Sequence, residues 1–423
     1  MGNLRKSRNF VYQVRLNGTA LAVATIFALT LFGSAGSAHA QSLQVLYSFT
    51  GGNDGAQPYA GLTLGQDGSL YGTTHSGNQG TNWGNVYRLY RHHSNFIFQA
   101  LMLFDGQLEA RPVFGPEGIL YDTAPVQLTG AHSGYVFRLQ PPINVVCHTI
   151  FCLWNPTVLY QFSGGSDGDD PRFGPLIFDQ TGNMYDTTNM GGTGDGVVFE
   201  MTGSGTNWTE QALHTFSGPD GANPFSGVTF DSAGNLYGTT TQGGANGFGV
   251  VYELSPSSNG WTEQVLYSFQ NGSDGSVPVA ALTLDSAGNV YGSTITGGLA
   301  GGGTIFELSP SNNGWTFQTL VNFSGGTNCG PWGQMTLQNG SLYGTTVCDG
   351  AHGAGNVFQL SPSGNSWTYA SVYDFTGGND GKFPYCNVVF DSAGNMYGTA
   401  FEGGTENEGT IWEIMPPFNS SKR

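Results

Sequence analysis

One short phrase, Tyr-Gly-Thr or a close variant, returns seven times along these 423 residues, at Tyr71, Tyr121, Tyr185, Tyr237, Tyr291, Tyr343 and Tyr397. The intervals are 50, 64, 52, 54, 52 and 54 residues. A period near fifty in a chain built of β-branched and aromatic runs points to propeller blades, because each small sheet buries its faces only against neighbouring sheets. The clearest unit reads SGVTF, the turn DSAG, NLYGTT, a glycine-rich loop, GVVYELSP, SSNG and WTEQVLYSF. Asp, Ser, Gly, Asn and Pro separate its runs, which gives four antiparallel strands, A to D.

The first run after residue 40, LQVLYSF (Leu43 to Phe49), is a strand D without its own A to C, and the last repeat stops at TIWEIMPP without a strand D. The fragments complement one another. The expected fold is therefore an all-β, seven-bladed propeller over residues 41–417, with the N-terminal strand completing the last blade and removing the exposed edges of an open array. Glycine is abundant at 68 residues, but 28 Phe, 19 Tyr and 8 Trp supply enough apolar surface for a packed core. Blade 2 departs from the pattern. Its strand C aromatic and strand D phenylalanine, Phe137 and Phe162, stand 25 residues apart, against 17 for Tyr87 and Phe104.

Residues 1–40 read as a secretory leader: Arg5, Lys6, Arg8 and Arg15, an apolar stretch from Thr19 to Phe32, and Ala38-His39-Ala40 before the expected cut. Loss of those four of the 12 basic residues, and of none of the 29 acidic ones, takes the formal charge from −17 to −21. Such a surface disfavours nucleic acid and anionic lipid, and leaves an extracellular ligand, glycan or protein, as the expected partner of a secreted or periplasmic monomer. No later stretch is apolar enough to span a bilayer, and residues 418–423 read as a short tail. Export makes Cys147–Cys152 and Cys329–Cys348 reasonable disulfides, with Cys386 left over.

At DSAGNLYGTT (Asp231 to Thr240), DSAGNVYGST (Asp285 to Thr294) and DSAGNMYGTA (Asp391 to Ala400), followed by a Gly-Gly loop, the chain resembles the GloVer-type, choice-of-anchor tandem-repeat proteins. The resemblance implies an exported repeat protein and transfers no catalytic residues. It departs at FNSSKR, which lacks the apolar tail of an anchored member, so free secretion is the expectation.

Candidate chemistry lies in the D-to-A and B-to-C loops, which a blade presents on one face. Asp54, Asp167, Asp220, Asp274 and Asp380 occupy equivalent D-to-A positions and could ring the channel mouth as calcium ligands. An Asp-Gly turn capping its own backbone is preferred, since no loop has the spacing of a dedicated calcium loop. Departures from the repeat gather on blades 2 and 3: Glu109, Asp122, His132 and Asp186 as acid/base candidates, and Arg111, Asp169, Asp170 and Arg172 as ligand-binding candidates. Drift in a degenerate repeat is the plainer account of them. His75 and His352 read as solvated loop residues, and Arg88 and Arg138 as outward-facing changes on strand C. No cofactor is expected, calcium entering only with the scaffold alternative. The leading functional reading is a secreted, non-catalytic binding or structural module; the alternatives are an extracellular carbohydrate hydrolase or lyase on the blade 2 and 3 face, and a calcium-stabilised scaffold.

Overall fold

The computed structural model describes residues 42–77, 84–125, 133–142, 149–364 and 366–416. The expected leader, His132, Cys147 and the tail lie outside the described residues. Seven four-stranded antiparallel sheets form the chain, each in the order A-B-C-D. Strand B carries the recurring phrase, at Leu70–Thr74, Leu120–Ala124, Met184–Thr188, Leu236–Thr240, Val290–Thr294, Ser341–Thr346 and Met396–Ala400. The first strand, Leu43–Ser48, pairs antiparallel with Thr410–Ile414 and completes blade 7, from Leu43 opposite Ile414 to Ser48 opposite Thr410. Among the described residues no helix is long and apolar enough to cross a membrane.

The phrase works one residue at a time. Its tyrosine turns toward the next blade: Tyr71 meets Phe114 edge-on at 5.0 Å between centroids, Tyr121 meets Phe178 at 5.2 Å and Tyr185 meets Phe230 at 5.0 Å. In blade 7, Tyr397 Oη donates to Asp391 of the DSAG turn and to Glu413 of strand C, each at 2.9 Å. The middle glycine faces the strand C aromatic, so that a Cβ at Gly238 or Gly398 would fall inside Tyr252 or Trp412. The final hydroxyl reaches the next blade's channel segment: Thr73 donates to Ala110 O (2.9 Å), Thr187 to Ser226 O (3.0 Å) and Ser293 to Pro331 O (3.1 Å). Thr399 donates to Ala60 O at 3.1 Å, which joins the seventh blade to the first. Outside the seam that follows blade 2, the inter-blade seams thus combine buried aromatic area with hydrogen bonds worth about 1 kcal/mol each.

Blade 2 breaks the series twice. Thr123 Oγ1 is buried without a hydrogen-bond partner, and the segment leading into blade 3 carries one extra residue, Arg172, between Pro171 and Phe173. The long C-to-D connection returns to blade 1: Phe151 bridges Ala100 in parallel, Ala100 N donates to Ile150 O, and Cys152 N donates to Ala100 O. It lays an added edge beside the outer strand of blade 1. Of Arg88 and Arg138, both expected to face outward, Arg138 does not. Arg88 Nη2 pairs with Asp67 at 2.5 Å inside its own blade, filling the role of the strand C glutamate, and Arg138 is buried.

Candidate functional site at the loop face of the channel

The segments that lead from strand D into the next strand A converge on the axis. In five blades this segment holds a residue at positive φ before a proline: Gln57 (57°), Asp170 (62°), Asn223 (55°), Val277 (58°) and Phe383 (57°). For Val277 and Phe383 this backbone is strained, and two hydrogen bonds per residue hold it. Val277 N donates to Phe248 O of the preceding blade, and Val277 O accepts from Ile295 N of its own. The strain fixes the direction in which the chain leaves the proline.

In five blades the chain then places an aromatic side chain at the axis. Tyr59, Phe173, Phe225, Trp332 and Tyr385 form a closed ring there, each in contact with the next. Tyr59 and Tyr385 stack at 4.6 Å and 11°, and Phe173 and Phe225 at 4.1 Å and 24°. All five are half-buried, with part of each ring left open on the loop face. Val279 and Glu109 complete the seven positions. Beneath the ring the cavity narrows to about 60 Å³, room for one or two waters and no more. The aromatic ring therefore acts as a floor rather than as a passage.

Beside that floor lies a chain of charges. Glu109, 6% exposed, receives His75 Nε2 at 3.3 Å and Arg172 Nη1 at 3.4 Å, while Arg172 Nε donates to Asp170 Oδ2 at 2.5 Å. Burial pushes the Asp170 carboxyl up, and Arg172 opposes that. Burial would lower the Arg172 guanidinium, but Glu109 and Asp170 outweigh it and hold the cation. His75 Nδ1, Asp169 Oδ1 and Asp170 Oδ1 are buried with no hydrogen-bond partner. These atoms and the aromatic rings present hydrogen-bonding groups beside flat apolar faces, the composition of a small-molecule site.

The sequence candidates divide. Glu109, Asp170 and Arg172 come together as one network, with Asp169 alongside, and His75 joins them although it reads as a solvated loop residue. Asp122 and Asp186 do not. They replace the strand B glycine, are 2% and 0% exposed, and each spends Oδ1 on the next backbone amide, Thr123 N at 2.9 Å and Thr187 N at 2.8 Å. Burial pushes both carboxyls well above the usual carboxylate range. Arg111 lies deeper in the channel wall, donating to Thr63 Oγ1 at 3.1 Å. His352 is exposed.

The five loop aspartates are not gathered into a metal site. Asp54 accepts from Tyr47 Oη (3.0 Å), Thr50 N (2.8 Å) and Thr50 Oγ1 (2.6 Å), and Asp167 and Asp380 repeat that pattern. Asp274 accepts from Tyr267 and Gln270 N, and Asp220 from Ser217 with His214 in the tyrosine's place. Each carboxylate caps its own turn. Among the described residues no group of three or more His, Cys, Asp or Glu side chains could hold a metal ion. Cys329 and Cys348 form a disulfide, while Cys386 is a free, buried thiol donating to Thr399 O at 3.3 Å.

The model of the Gloeobacter/Verrucomicrobia repeat matches residues 154–317 and 260–422. The chain belongs to this repeat family. Gloeobacter/Verrucomicrobia repeats thus account for blades 3 to 7, and the network residues His75 and Glu109 lie outside the matched stretch. No curated protein matches the chain. Among 240 solved chains that match, one is a putative oxidoreductase (glucose dehydrogenase) from Thermus thermophilus, with 14% identity over 73% of this chain and 96% of that one and a TM-score of 0.45. At that identity the likeness carries no functional inference.

Proposed function

We propose that this propeller is an exported, non-catalytic binding module whose ligand, a neutral glycan, lies on the aromatic floor of the loop face. The closed ring of Tyr59, Phe173, Phe225, Trp332 and Tyr385 carries the reading. Sugar rings present flat C–H faces that pack on aromatic planes, while their hydroxyls need the donors and acceptors that Glu109, Arg172 and Asp170 supply at one side. Export is supported by the basic and apolar leader pattern and by the Cys329–Cys348 disulfide, which suits an oxidising compartment.

A hydrolase needs two carboxyl groups flanking the scissile bond. Of the acid/base candidates inside the described residues, Asp122 and Asp186 are sealed in the blades, and Glu109 is engaged by both Arg172 and His75. The test is a polysaccharide screen of the protein by calorimetry, with product release followed on the same samples. Binding without turnover is expected, and Trp332→Ala or Tyr385→Ala should weaken it by ten-fold or more, about 1.4 kcal/mol. Release of reducing ends, or binding indifferent to both substitutions, would overturn the reading.

A further inference from the structure

The opposite mouth of the channel has a different chemistry. It opens into about 490 Å³ and is lined by threonines, aliphatic side chains, Gln334, Asn387 and Arg111, with no aspartate or glutamate. On a chain with 29 acidic residues that lining is a local exception. Arg111 also borders the narrow space below the aromatic ring, so its side chain sits at the waist of the channel.

Alignment on strand A places Arg111 level with Gly61, Pro175, Gly227, Ala281, Gln334 and Asn387 of the other blades. It is the one charge in that ring. Among the described residues no carboxylate oxygen lies within ion-pair distance of its guanidinium. Its hydrogen bond goes to Thr63 Oγ1, whose own proton is given to Pro112 O at 2.6 Å. Burial lowers the Arg111 pKa to about 10, with Asp122 opposing. The Arg111 side chain is half-buried at this mouth, and a partly desolvated cation without an ion-pair partner favours an anion.

We propose that this lower mouth is a binding site for a small hydroxylated carboxylate, with Arg111 taking the carboxylate and the amides of Gln334 and Asn387 taking neighbouring hydroxyls. A guanidinium presents the forked donor geometry that matches a carboxylate. Gln334 Nε2 already donates to Leu282 O at 2.8 Å, which orients the amide and leaves its second N–H and its oxygen for a ligand. The acidic surface repels polyanions, so a single small anion entering the mouth is the fitting size class.

The test is calorimetric titration of the whole protein with glucuronate, glucose and acetate at low salt. Glucuronate should bind at least ten-fold more tightly than glucose, and more tightly than acetate, and the preference over glucose should shrink at 0.5 M salt. Arg111→Gln should abolish that preference, Arg111→Lys should keep part of it, and Trp332→Ala, on the far side of the channel, should leave it intact. The last variant separates this site from the aromatic floor, since it should weaken glycan binding there. Equal affinity for glucuronate and glucose, or a preference that survives Arg111→Gln, would overturn the proposal. If Arg111→Gln does not fold, Asn387→Leu reads the same ring, and an unchanged glucuronate affinity in that variant has the same force.

Discussion

Gly398 shows how tightly single residues are specified. A Cβ there would enter the Trp412 indole, which is fully buried between blades, so Gly398→Ala forces the ring or the strand to shift. Overpacking of this kind costs about 1–3 kcal/mol, and urea denaturation should show it, whereas Gly234→Ala meets no atom and suffers only its positive φ of 90°. In blades 2 and 3 the same position holds Asp122 and Asp186, both buried with Oδ1 accepting from the next backbone amide, a substitution visible in the sequence but opposite in meaning to an exposed catalytic acid. Two further acids titrate within reach of experiment. Burial, with Asp167 beside Glu210 and Asp220 beside Glu263, pushes both glutamates from the ordinary 4.5 up to about 7. Between those values the folded protein keeps protons that the unfolded chain releases, so stability falls as pH rises from about 4.5 to 7 and levels off above. Calorimetry of Glu263→Gln should therefore match wild type at pH 4 and melt higher than wild type at pH 8; a gain of equal size at both pH values would contradict the assignment.

At the scale of the element, the loops rather than the strands separate the legible from the hidden. Strand positions, the blade count and the split seventh blade were all legible, because period-2 runs bounded by turn residues have few other solutions. The aspartates of the D-to-A loops were legible too, as turn caps. The aromatic ring was not, although a signal was present: an aromatic follows proline at the same distance from strand A in blades 1, 4, 6 and 7, and blade 3 hides its copy behind the inserted Arg172. Its meaning needed the loops to meet. Blade 6 stabilises its copy covalently, since Cys329–Cys348, 19 residues apart, joins the segment before Trp332 to the end of strand B. Closing a loop of that length is worth about 3 kcal/mol, so Cys329→Ala/Cys348→Ala should lower the denaturation free energy by roughly that much and leave the seven-bladed fold in place, as judged by circular dichroism.

The whole molecule depends on closure. Leu43–Ser48 supplies the outer strand of blade 7, and Thr399 joins that blade to blade 1 across 339 residues of sequence. A chain beginning at Gly51 would expose the edge of Thr410–Ile414 and open the seam at blade 1. Size-exclusion chromatography should then show oligomers, and the thermal transition should broaden; a monomer with a sharp transition would mean that the first strand is dispensable. The sequence by itself determined the number of blades, their strand order, the closing strand and the cap role of the repeated turns, because these follow from local periodicity and turn chemistry repeated seven times. Only the tertiary structure decided which departures share a site: Glu109, Asp170 and Arg172 meet His75, Asp122 and Asp186 are sealed away, and five aromatics from separate blades close into one ring. The physical reason is that a propeller brings residues about fifty positions apart onto one axis. Whether two of them touch there is set by the tilt of each loop, which strained backbone before proline and hydrogen bonds to the preceding blade fix, and which no single repeat contains.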